Sequence, residues 1–80
     1  MTVNEIYSRL EEVFEEVFDR KIKLTPETTA NDVDDWDSLT HITLISAVEG
    51  EFGMKFKMKE VSSMKNVGEM VSIIAERAVK

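Results

Sequence analysis

Eighty residues suffice for one small domain, residues 1–80, and the lack of cysteine excludes disulfides and thiolate chemistry from the chain itself. Sixteen acidic against ten basic residues give a net charge of −6, which argues against nucleic-acid binding and favours basic patches on other proteins, although most acidic small domains owe that charge to solubility alone. No apolar run is long enough to span a membrane and the N-terminus lacks the pattern of a signal peptide, so we expect a cytoplasmic protein without membrane insertion.

The first element in the chain is an amphipathic helix. Apolar residues recur at steps of three and four from Val3 to Phe18, and Thr2 followed by Glu5 is a capping-box start. Residues 19–37 hold the only proline and few periodic apolar residues, and they predict a long loop with one helical turn after Pro26. A loop of that length in so small a domain is often functional.

Residues 38–52 return to helical spacing. Advancing 100° per residue places four large apolar residues on one face, which we predict to be the core face: Leu44, Ile45, Val48 and Phe52. Leu39 and Ile42 lie away from the centre of that face and beside Ser38. Their position suggests a docking site for partners. An equally weighted alternative is that other elements cover them, or that they are ordinary scattered surface residues.

Two further helices complete the prediction. Residues 59–64 form a short helix, and Asn66 with Glu69 caps the start of a last helix that runs to the end of the chain. The fold class is therefore all-α, a small four-helix bundle with three longer helices, a short third helix and a long loop between helices one and two. Four methionines are interpreted as core filler rather than as the lining of an adaptable cavity: Met54, Met58, Met64 and Met70.

Ser38 lies in the first turn of the second helix, directly after Asp37. Asp37 is a good N-cap, so Ser38 is not needed for capping, and a helix start favours an anion. Judged only as a serine at a helix start, a structural role is the commoner one. His41, the only histidine, lies three residues later, but neither a third catalytic group nor a glycine elbow accompanies it. We predict no catalytic residue and a structural His41 at the rim of the core.

The aspartates of residues 32–37 raise the question of calcium. An EF-hand loop needs acidic ligands at fixed positions, a glycine at the sixth and a glutamate at the twelfth, and each starting frame here fails. We predict no metal site, while weak binding of divalent ions by the acidic loop stays open.

The motif Asp37-Ser38-Leu39 at a helix start, with Glu49 and Phe52 later in the same helix, resembles the pattern of acyl carrier proteins over essentially the whole chain. The resemblance implies that Ser38 carries 4′-phosphopantetheine through a phosphodiester, installed by a separate phosphopantetheinyl transferase from coenzyme A with magnesium. The thiol of that arm then holds acyl groups as thioesters, so the protein is a carrier and not an enzyme.

The resemblance also implies partners. Asp37 flanks the attachment site and orients the transferase, and Leu39 and Ile42 dock partner enzymes. Glu49 and Glu51 meet basic patches on the enzymes that load and process the acyl group. A carrier of this size and charge is most simply a monomer.

Four positions near Ser38 depart from the pattern of fatty-acid carriers. Asp35 stands where glycine is common, Trp36 follows it, and Thr40 and Thr43 replace acidic residues. These departures favour a specialised lipid, secondary-metabolite or aminoacyl pathway over housekeeping fatty-acid synthesis. The alternative from a different class is an acidic helical interaction module in which Ser38 only helps to start a helix. The sequence names neither the cargo nor the cognate enzymes.

Overall fold

The computed structural model describes residues 1–79, and α-helices account for most of them. The helices are α1 (Val3–Phe18), α2 (Ser38–Phe52), α3 (Met58–Ser63) and α4 (Val67–Arg77), with a 3₁₀ turn at Ala30–Asp32. No strand occurs within residues 1–79, and the predicted all-α bundle with a short third helix is confirmed. The short helix lies one residue earlier than expected, and α4 ends at Arg77 instead of continuing to the end of the chain. No helix in this part of the chain has the length and apolar character needed to cross a membrane.

The core forms where α1 packs on α2 and α4. The predicted core face of α2 is confirmed, since its four apolar residues are all buried. The side chains that are excluded most completely from solvent come from these three helices: Phe14, Phe52, Ile6, Leu10, Leu44, Met70, Ile74, Val48 and Val67. Burial of apolar surface on this scale is the main source of stability in a small bundle.

Local sequence signals fix where the helices begin and end. The predicted capping box of α1 is present, because Thr2 Oγ1 accepts the Glu5 N–H and the Glu5 carboxylate accepts the Thr2 N–H, each at 3.1 Å. Asn66 Oδ1 likewise accepts the Glu69 N–H at the start of α4, at 2.9 Å. Gly53 ends α2 in the left-handed conformation, with φ 61°, which glycine adopts without steric cost.

The long loop between α1 and α2 is anchored to the start of α4. The N–H groups of Val67 and Gly68 have no partners within the helix, and they donate to the carbonyls of Thr28 and Pro26 at 2.8 and 3.0 Å. Thr28 is buried, and its hydroxyl accepts the Thr25 N–H at 2.9 Å. The segment after Pro26 is thus a tight turn, and the helical turn expected there lies slightly later, at Ala30–Asp32.

Ionic contacts hold α3 in place. Arg77 of α4 pairs through both guanidinium NH2 groups with the two carboxylate oxygens of Glu60, and it also donates to the Lys55 carbonyl at 3.4 Å. This pairing is the main reason why the pKa of Glu60 falls to about 2. The neighbouring Met58 is 87% exposed, so the core-filler interpretation is wrong for it, because α3 turns that side chain outward. Met54 and Met70 are buried, as predicted.

Candidate functional site

Ser38 is the first residue of α2, and its side chain is exposed. The preceding Asp37 is the N-cap, as predicted, and its carboxylate accepts the N–H groups of Leu39 and Thr40 at 3.0 and 3.1 Å. The Thr40 hydroxyl completes a capping box, since it accepts the Asp37 N–H at 2.8 Å and donates to the Asp35 carbonyl at 2.6 Å. Capping therefore rests on Asp37 and Thr40, and the Ser38 hydroxyl is not needed to hold the helix.

The charge beside Ser38 is negative and partly compensated. The N–H groups of Thr40 and Leu39 hold the pKa of Asp37 below its ordinary value, so its carboxylate stays ionised. Arg20 follows the end of α1 and reaches the aspartate loop, where it donates to the Asp34 carbonyl at 2.6 Å. It also lies 3.6 Å from a carboxylate oxygen of Asp35. Because Arg20 and these aspartates are distant in the sequence, helical periodicity does not predict this contact.

Trp36 and His41 form the floor of the site. The indole of Trp36 packs edge-on against Phe14 of the core, with ring centroids 5.3 Å apart at 85°. Its Nε1–H donates to His41 Nδ1 at 3.0 Å, and His41 Nε2 lies 3.2 Å from the Val61 carbonyl. His41 is thus a half-buried structural residue, as predicted. Both of its ring nitrogens face partners other than Ser38, so the two do not form a nucleophile and base pair.

A cleft of about 560 Å³ opens beside Ser38. It lies between the start of α2 on one side and α3 with the α3–α4 connection on the other. Trp36 and His41 line it from the α2 side, and Val61, Met64 and Lys65 line it from the opposite side. The cleft is of the size that holds small molecules in other proteins, so Ser38 stands at the edge of a usable space.

The predicted docking residues Leu39 and Ile42 both lie on the surface of α2. Leu39 is 78% exposed and Ile42 is 66% exposed, which places two large apolar side chains in water within a turn or so of Ser38. No other element of the described chain covers them. The exposure fits a docking role, and the role itself stays a prediction.

Glu49 and Glu51, also predicted to dock partners, have partners inside the chain. The Glu49 carboxylate accepts the Phe56 N–H at 2.8 Å and so holds the segment that follows α2. Glu51 pairs with Arg9 of α1 at 2.8 Å, and Arg9 also donates to the Glu51 carbonyl at 2.7 Å. Both glutamates are only partly exposed, so they contribute less to a charged docking surface than the sequence suggests.

Within residues 1–79, no group of three or more histidine, cysteine, aspartate and glutamate side chains is placed to hold a metal ion. Two of the aspartates in residues 32–37 instead accept hydrogen bonds from nearby backbone N–H groups. Asp32 accepts the Thr29 N–H at 2.9 Å, and Asp37 caps α2.

Comparison with models of known protein families finds no match. Individual proteins do match. The chain is 32% identical to an acyl carrier protein from Acidothermus cellulolyticus, in an alignment that covers 99% of this chain and 95% of the relative. Its structure is similar to that of a holo acyl carrier protein from Geobacter metallireducens, with a TM-score of 0.84 and 40% identity over 90% of this chain and 84% of the other. Agreement in sequence and in fold over nearly the whole length shows that the chain belongs to the acyl carrier protein family.

Proposed function

We propose that the protein carries acyl groups as thioesters on a 4′-phosphopantetheine arm joined to the Ser38 hydroxyl through a phosphodiester. The observation that carries the proposal is the exposed Ser38 at the start of α2, where Asp37 and Thr40 already perform the capping. A chain of this family is a carrier and not an enzyme. An exposed hydroxyl with no structural task is the group that such a carrier must offer to a modifying enzyme.

The residues around Ser38 fit the arm. Its hydroxyl is exposed at the edge of the cleft, and the chain has no cysteine of its own, so the thiol that bears the acyl group is supplied by the arm. The N–H groups of Leu39 and Thr40 are already bonded to Asp37, so they are not available to a phosphodiester on Ser38. The attachment point therefore faces water, which keeps the arm free to reach partner enzymes.

The exposed surface around Ser38 is where we place the partners. Asp37 lies beside the attachment site as a fixed negative charge, suited to orient the basic surface of a phosphopantetheinyl transferase. Leu39 and Ile42 provide apolar contacts for the enzymes that load and process the acyl group. Glu49 and Glu51 act at the margin of this surface, because each is already bonded within the chain.

Two of the departures from the fatty-acid pattern, Thr40 and Trp36, have structural roles. Thr40, which replaces an acidic residue, is part of the α2 capping box, and Trp36 seals the end of the core. The loss of acidic groups at Thr40 and Thr43 leaves the start of α2 less negative than in that pattern. We therefore assign the protein to a specialised lipid, secondary-metabolite or aminoacyl pathway. We further propose that residues 1–80 form one carrier domain, which acts as a monomer in the cytoplasm.

The proposal is tested by incubating the protein with coenzyme A, magnesium and a broad-specificity phosphopantetheinyl transferase, and following its intact mass. The wild type should gain one phosphopantetheine, and Ser38→Ala should gain none. Ser62→Ala is the matched control, because Ser62 is an exposed serine that lines the same cleft, and this variant should be modified fully. Modification of Ser38→Ala, or a wild type that stays unmodified while a known carrier in the same tube is modified, would contradict the proposal.

A further inference from the structure

Three segments of the chain meet at a hydrogen-bonded bridge beside Ser38. Trp36 belongs to the loop that precedes α2, His41 lies in the first turns of α2, and Val61 lies in α3. The Trp36 Nε1–H donates to His41 Nδ1 at 3.0 Å, and His41 Nε2 lies 3.2 Å from the Val61 carbonyl oxygen. All three residues line the cleft beside Ser38.

The protonation state of the bridge follows from its partners. An indole nitrogen can only donate, so His41 Nδ1 must be the acceptor and carry no proton. The single proton of a neutral imidazole is then on Nε2, which donates to the Val61 carbonyl. That carbonyl lies in the last turn of α3, and the N–H four residues later, of Lys65, is directed to the Glu69 carboxylate at 3.3 Å. His41 thus caps a helix carbonyl that lacks a partner within α3.

A protonated His41 is incompatible with the Trp36 contact. Both ring nitrogens of an imidazolium are donors, so its Nδ1–H would point at the indole N–H, and the two donors would repel. The charged side chains that share the cleft are Asp37 at the start of α2 and Lys65 in the α3–α4 connection. The α1 helix contributes the rings of Phe14 and Phe18, which pack on Trp36.

We propose that Trp36, His41 and the Val61 carbonyl form a proton-sensitive bridge that holds the loop and α3 against the start of α2 while His41 is neutral. Protonation of His41 breaks the Trp36 contact and loosens both walls of the cleft beside Ser38. Trp36 and His41 are positioning residues in this scheme, since they act on the attachment site through the elements that they join. The bridge itself does not depend on an arm, whereas the importance of a looser cleft for a group attached at Ser38 rests on the proposed function.

The chain is suited to a direct test, because Trp36 is its only tryptophan and His41 its only histidine. Nitrogen-15 NMR on protein without an arm would follow both rings as the pH is lowered from about 8 to about 5. At high pH, Nδ1 should be the unprotonated nitrogen and Nε2 the protonated one. As His41 protonates, the indole N–H and the Val61 carbonyl carbon should shift with the midpoint of the imidazole.

A non-titrating variant serves as the reference. His41→Asn places its side-chain oxygen near the position of Nδ1, so it keeps an acceptor for Trp36 at every pH. Below the midpoint, the indole N–H of the wild type should exchange with solvent at least roughly fivefold faster than that of His41→Asn at the same pH, the factor that matches a net hydrogen bond of about 1 kcal/mol. Measuring both proteins at one pH removes the effect of pH on exchange itself.

Three results would overturn the bridge. A proton on Nδ1 of the neutral ring, a midpoint of the indole shift that differs from that of the imidazole, or equal indole exchange in wild type and His41→Asn at low pH would each do so. Because no arm is present in these samples, failure of the bridge leaves attachment at Ser38 untouched. Failure of attachment at Ser38 would likewise leave the bridge standing.

Discussion

Gly68 is the position where one added methyl group should disturb the anchoring of the long loop. A Cβ at this residue would lie 2.9 Å from the Pro26 carbonyl oxygen, 3.2 Å from Pro26 Cβ and 3.3 Å from Asn66 Oδ1. The first two contacts involve the loop itself. The Gly68 N–H donates to the same Pro26 carbonyl, so Gly68→Ala crowds the acceptor of its own hydrogen bond.

The magnitude follows from three contributions. Overpacking against backbone costs about 1–3 kcal/mol, and weakening the hydrogen bond costs up to about 1 kcal/mol. Replacing glycine by alanine inside a helix returns about 0.5–1 kcal/mol. Taking the middle of each range, we expect Gly68→Ala to lower the free energy of unfolding by about 2 kcal/mol. Gly50→Ala in α2 is the matched control, because no atom outside its own helix turn lies within 4 Å of the added Cβ, and it should gain about 0.5–1 kcal/mol.

Urea unfolding followed by far-UV circular dichroism measures both changes. With a slope near 1 kcal/mol per molar for a protein of this size, the midpoint of Gly68→Ala should fall by about 1 M or more, and that of Gly50→Ala should rise. Equal midpoints for the two variants, or a Gly68→Ala protein as stable as the wild type, would refute the reasoning that the loop is packed tightly on α4.

Three further predictions concern the helix contacts and the docking surface. The folded-state pKa of Glu60 is about 2, below its ordinary value of 4.5, so its pairing with Arg77 stabilises the protein fully above about pH 4.5 and is lost as the pH falls toward 2. In a plot of the unfolding midpoint against pH, Glu60→Gln should therefore show a smaller loss of stability at acid pH than the wild type. An equal loss in both proteins would contradict this. Asp37→Ala should lower the thermal midpoint while Asp37→Asn keeps it nearly unchanged, since asparagine also caps; equal loss in both would show that capping is not the cause. Leu44 is fully buried, so Leu44→Ala should lower the free energy of unfolding by about 2–5 kcal/mol, whereas Leu39→Ala at an exposed position should change it by less than about 0.5 kcal/mol. Leu39→Ala should instead raise the KM of the transferase for the carrier. An unchanged KM would show that Leu39 does not dock.

The sequence predicts those features that neighbouring residues determine. The capping pairs of α1 and α4 are three residues apart, and the core face of α2 follows from helical periodicity, so both can be predicted from the sequence alone. The position of Ser38 after an N-cap is equally local. These features correctly predict four helices and the position of Ser38 in the first turn of α2, directly after its N-cap.

The remaining features depend on tertiary packing. Arg9 meets Glu51 across 42 positions, and the Glu49 carboxylate turns back to the Phe56 N–H, so two glutamates that look like open surface charges are engaged. In the sequence, nothing distinguishes Met58 from the buried methionines, and it is exposed because of the orientation of α3. The link from Trp36 through His41 to α3 likewise requires knowing where α3 lies.

Peptide-level mass spectrometry of the modified protein tests the central claim most directly. After incubation with coenzyme A, magnesium and the transferase, the protein would be digested and fragmented to locate the phosphodiester. The account predicts the whole of the added mass on Ser38, with Ser62 and every other serine and threonine unmodified. Phosphopantetheine on any residue other than Ser38 would contradict it.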